Sequence, residues 1–143
     1  MIDIENTVFN TVASALRTAY PGIKVYGEYV PEDASFPCVC LWESENSIVA
    51  EREDTSDLDN YVNVSYSVQV FTNTPTKKLD GKEIAKFIDD IMVGLRFRRS
   101  LMSQVPNVDR TIYRYELRYT GIVKRTDFQA TESGDTLYQI YTR

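Results

Sequence analysis

Residues 62–70 read VNVSYSVQV, placing Val62, Val64, Tyr66, Val68 and Val70 on one parity and Asn63, Ser65, Ser67 and Gln69 on the other. A period of two over nine residues is the signature of a half-buried antiparallel strand, because successive side chains of a strand point to opposite faces. Asn73-Thr74-Pro75 ends the strand. A helix opening at Asp80 follows, with Ile84, Phe87, Ile88, Ile91, Met92 and Leu95 forming one wide apolar stripe. A strand that buries one face beside a helix that buries one stripe sets the fold class.

Working outward, Asp3 caps a first helix in which Ile4, Val8, Val12, Leu16 and Ala19 recur on one face, and Tyr20-Pro21-Gly22 stops it. A short strand is expected over Ile23 to Tyr29. Phe36 to Trp42 is nearly all apolar, as in strands covered on both faces, with Pro37 suited to its start. After the second helix, Pro106 and Asn107 lead into a strand from Thr111 to Val123. Tyr113, Tyr115, Leu117 and Tyr119 there alternate with Arg114, Glu116, Arg118 and Thr120. Gly121 is read as a bulge near its end. A turn over Glu132 to Asp135 precedes a last strand, Thr136 to Thr142, paired antiparallel to its predecessor. The economical packing is a single α+β domain over residues 1–143: one antiparallel sheet of about four to five strands covered by two helices.

The totals agree. A chain of 143 residues with 43% hydrophobic and 26% charged residues is ordinary for one folded domain. Ten tyrosines tilt it toward sheet and toward partner surfaces. The net charge of −5 argues against a general grip on nucleic acid, which rests on an excess of Lys and Arg. No apolar run approaches the roughly 20 residues of a membrane span, and the N-terminus lacks a signal-peptide pattern. Cys38 and Cys40 match neither a zinc pair nor a redox pair, and on a strand they point the same way, so they read as reduced, buried thiols.

The sequence contains no histidine, which removes the commonest general base, the Ser-His and Cys-His pairs and the favoured transition-metal ligand. Its six glycines are too scattered for a phosphate-cradling or dinucleotide loop. Catalytic, cofactor and metal sites are therefore not expected. The tyrosine-arginine strand could serve as a stacking platform for single-stranded nucleic acid. However, its tyrosines share a face with Leu117, which favours a place under the helices.

Charge is polarised along the chain. Residues 43–59 carry seven acidic side chains (Glu43, Glu45, Glu51, Glu53, Asp54, Asp57, Asp59) against Arg52 alone, and read as an acidic loop over about 46–59. Such a stretch is expected to be mobile in a free subunit and ordered on assembly, since few apolar anchors offset its ordering entropy. Residues 96–125 carry eight basic side chains (Arg96, Arg98, Arg99, Arg110, Arg114, Arg118, Lys124, Arg125) against Asp109 and Glu116. Two opposite surfaces suit head-to-tail association. The candidate subunit or partner contacts are Arg96, Arg98, Arg99, Glu51, Glu53, Asp54, Asp57 and Asp59.

This layout resembles the tail terminator (tail completion, head–tail joining) proteins of long-tailed bacteriophages. It is carried by the N-terminal helix, the Phe36-Pro37 strand with its Glu43-Ser44-Glu45-Asn46 exit, the acidic excursion, the strand from Tyr61, the helix from Gly81 and the tyrosine-rich strand from Thr111. It spans nearly the whole chain and is one of pattern; sibling neck and minor tail proteins share much of it. The resemblance implies a structural virion protein at the tail–neck junction, made in the host cytoplasm and without enzymatic activity, cofactor or membrane. It further implies a hexameric ring that caps the tail tube, stops tube polymerisation and contacts the tube protein and a neck or connector protein. DNA would pass through its channel without specific binding. The competing class is an acidic binding module of the host cytoplasm.

Overall fold

The structure, a computed structural model, describes the backbone of residues 2–49, 61–130 and 136–141, and side-chain surroundings as far as Lys124. Helix α1 (Glu5–Ala19) is followed by β1 (Lys24–Tyr26), β2 (Cys38–Ile48), β3 (Tyr61–Thr72), helix α2 (Lys77–Gly94), β4 (Arg98–Val105), β5 (Tyr113–Ala130) and β6 (Thr136–Tyr141). The strands form one sheet in the order β1-β2-β3-β5-β4, and β6 also pairs with β5. The fold is α+β, two helices against a mostly antiparallel sheet.

The alternating residues of β3 and β5 behave as their pattern requires. Val62, Val64, Tyr66, Val68 and Val70 are buried, as are Tyr113, Tyr115, Leu117 and Tyr119, and all join one core with Val8, Val12 and Leu16 of α1 and Ile84, Ile88 and Met92 of α2. The two strands run in unbroken antiparallel register from Tyr61 opposite Lys124 to Thr72 opposite Tyr113. Gly121 pairs in register with Val64, so it makes no bulge with β3. Under α2 a glycine is required by packing: a Cβ at Gly81 would sit 2.7 Å from Cδ1 of Tyr113.

Several expectations are corrected. The sheet is not wholly antiparallel, because β1 pairs with β2 in parallel, Lys24 opposite Cys38. Helix α2 starts at Lys77, one turn before Asp80, and Asp80 instead accepts hydrogen bonds from the hydroxyls of Thr74 and Thr76. Strand β4 was not foreseen. The acidic stretch does not begin as a loop, since Glu43 to Ile48 continue β2 against β3, with a bulge between Glu43 and Glu45. The 46–48 part of the expected loop is thus strand, while Glu51, Glu53, Asp54, Asp57 and Asp59, and the mobility expected there, lie outside the described residues.

Asn46 donates from Nδ2 to the carbonyl of Ile2 at 2.8 Å, and the Glu43 amide donates to Oε2 of Glu5 at 2.8 Å. Tyr66 donates its hydroxyl to Oε1 of Glu43 at 3.2 Å. The start of α1 is thereby tied to β2. Burial pushes the Glu43 carboxyl above its ordinary value of 4.5, against the Tyr66 hydrogen bond and with Glu5 and Asp3 adding to the rise. The folded chain then holds this proton more tightly than the unfolded chain. Glu43 therefore contributes stability that is present below the ordinary value and is lost as pH rises through the raised one. Glu43→Gln, which still accepts from Tyr66, is expected to flatten that decline in urea unfolding followed from about pH 4 to pH 7. An unchanged slope would assign the decline to other groups.

Candidate assembly surface

Both helices pack on one face of the sheet, the face of Val68 and Leu117. The registers define the other face, strand by strand. Lys24 lies level with Cys38, Phe71 and Arg114, and Tyr26 with Cys40, Gln69 and Glu116. Trp42, Ser67 and Arg118 follow, with Leu101 of β4 beside Arg118 and Arg98 beside Thr120. Among the described residues no helix covers this face.

Alternation is what makes it basic. Because the tyrosines of β5 are drawn into the core, Arg114, Arg118 and Lys124 turn outward together, and Arg98 and Lys24 join them from the two ends of the sheet. Glu45 and Glu116 are the carboxylates that the registers put on the same face. Arg118 pairs with Glu116 at 3.4 Å across an exposed surface, an interaction worth about 0–1 kcal/mol, so it leaves most of the cationic field intact. The guanidinium of Arg114 lies over the Phe71 ring and the ammonium of Lys124 over the Tyr61 ring, each 5.7 Å from the centroid. Cys38 and Cys40 sit on this face too, free and buried, and burial pushes the Cys38 thiol up to about 12 with Cys40 adding to the rise. They are inert at neutral pH.

The three arginines singled out from the sequence have separate places. Arg96 occupies the left-handed turn that closes α2, with φ 73, its amide donating to the Val93 carbonyl at 2.9 Å while the Phe97 amide reaches that of Met92 at 3.0 Å. This is a Schellman stop, a position usually held by glycine, and it drives Phe97 into the core. Arg99 pairs with Oδ2 of Asp89 at 3.0 Å, and Oδ1 of the same carboxylate accepts the hydroxyl of buried Tyr119 at 2.8 Å. Arg99 therefore braces β4 against α2. Arg98 is exposed, and its pairing with Thr120 turns it to the helix-free face. Arg114 and Arg118, which belong with it, are legible in the strand period, and Lys124 stands one residue past the expected strand end; all three fall in the basic segment but not among the expected contacts.

Among the described residues no group of three or more Cys, Asp or Glu side chains is placed to hold a metal ion, and no described helix is long and apolar enough to cross a membrane. The chain matches no protein-family model and no curated protein.

Proposed function

We propose that this chain is a structural virion protein of a long-tailed bacteriophage: a tail terminator whose copies form a ring that caps the tail tube, stops its polymerisation and joins tail to neck, without catalysis. The observation that carries the reading is the helix-free, cation-bearing sheet face on a chain of net charge −5. A second copy, or a neighbouring virion protein, packs against that face, and its acidic surface is drawn to it. The acidic residues 51–59 are the segment of this chain with the complementary charge. The parent ring needs no cofactor, and DNA passes through it unbound.

Negative-stain imaging of a culture infected with a virus lacking this chain tests the reading. Tails of unregulated length, detached from filled heads, are the expected result. Normal tails joined to heads would overturn it, and would favour an acidic binding module acting in the host.

A further inference from the structure

At the end of the sheet where α2 begins, two adjoining cavities of about 510 and 280 Å³ share Lys77, Gln104 and Tyr113 as lining. Lys78 borders the first and Arg110 the second, and no carboxylate lines either. Asp80, in the first turn of α2, accepts from Thr74 and Thr76, and Asp109 accepts from the amide and hydroxyl of Thr111. The side chains of Lys77, Lys78 and Arg110 form no ion pair among the described residues.

Two further features converge on the same groove. Helix α2 has no side-chain cap, and while the Lys77 and Asp80 amides reach the carbonyls of Thr74 and Thr76, those of Lys78 and Leu79 have no partner among the described residues. These amides sit at the positive end of an 18-residue helix. Independently, Tyr113 is only 4% exposed and its hydroxyl has no hydrogen-bond partner. A buried orphan donor of this kind calls for an acceptor. The ring is fixed by Gly81 behind it, and burial raises the phenol's pKa, so the hydroxyl stays a donor at neutral pH.

We propose that this groove binds a phosphate monoester dianion, held by Lys77, Lys78, Arg110, the open amides of α2 and the Tyr113 hydroxyl. Three cations and a helix terminus match a doubly charged oxyanion with several acceptor oxygens better than a single carboxylate. Pro75, Leu79 and Ile112 line the same groove, and Leu79 is 71% exposed, giving an apolar lip for the organic part of such a ligand. This inference does not depend on ring formation.

The test is a titration of the full chain with inorganic phosphate, followed by amide chemical shifts, with chloride at equal ionic strength as control. Saturable shifts at Lys78, Leu79 and Tyr113 with phosphate alone are expected; their absence, or an equal response to chloride, would overturn the proposal. Dimethyl phosphate, which carries one charge, is expected to bind about tenfold more weakly, and equal binding would refute the preference for a dianion over a nucleic-acid backbone. Tyr113→Phe keeps the ring and removes only the donor, so it should melt like the parent and bind phosphate about tenfold more weakly, as loss of a charge-assisted hydrogen bond requires. Lys77→Gln with Arg110→Gln should weaken it further. Parental affinity in both variants would contradict the site.

Discussion

The Arg98→Glu, Arg118→Glu double variant is expected to melt close to the parent chain and to fail to assemble. Both residues are exposed on the helix-free face of the neighbouring strands β4 and β5, Arg98 opposite Thr120 and Arg118 opposite Leu101, and neither packs in the core. Exposed substitutions of this kind change stability by about 0.5 kcal/mol; here the new Glu at 118 also faces Glu116, its former ion partner. At a contact with an acidic surface, however, each reversal replaces attraction by repulsion. At about 1 kcal/mol per pair per contact, repeated around a closed ring, the sum is on the order of 10 kcal/mol. Thermal unfolding measures the first outcome and sedimentation the second, and the parent's association should weaken as salt rises, since charges are screened beyond about 10 Å at 0.1 M. Normal assembly of the variant at every salt concentration would remove the electrostatic contact. Including Arg96 and Arg99, as the sequence suggests, would confuse this test, because one closes α2 and the other braces Asp89.

Leu117→Ala is expected to produce a large loss of stability. Leu117 is fully buried on β5, paired with Val68 on one side and Met102 on the other, beneath α2. With strands on both sides and a helix above, little can collapse into the space left, so the cost is about 2–5 kcal/mol. At about 2–4 °C per kcal/mol for a chain near this size, the melting midpoint should fall by roughly 5–20 °C. A calorimetric shift below that range would mean the core closes over the deletion. Together the two variants are expected to separate the faces, a loss of stability from one side of the sheet and a loss of association from the other.

Much of this architecture is legible in residue order. The alternation in β3 and β5 gives strands and facing together, and the stripe from Ile84 to Met92 gives the helix that covers them. Strand β4 escaped because RRSLMSQV lies outermost beside β5, half exposed along its length, so no face imposes a period on it. The parallel β1 pairing escaped because partner choice is a tertiary matter that three residues do not encode. Glu43 to Ile48 looked like loop because charge was counted without the partner: the long β3 supplies the ladder, and Tyr66 and the start of α1 hold Glu43 and Asn46. For the surface, the parity of Arg114 and Arg118 was readable, whereas Arg98 joins them only once β4 pairs with β5.

Native mass spectrometry of the parent chain over a wide concentration range, alone and with the tail-tube protein of the proposed source virus, decides whether the chain closes into a ring. One closed species of hexamer mass is expected, appearing with concentration or with the tube protein and dissolving as salt rises. A monomer under every one of these conditions, or an open-ended ladder of oligomers, would contradict it.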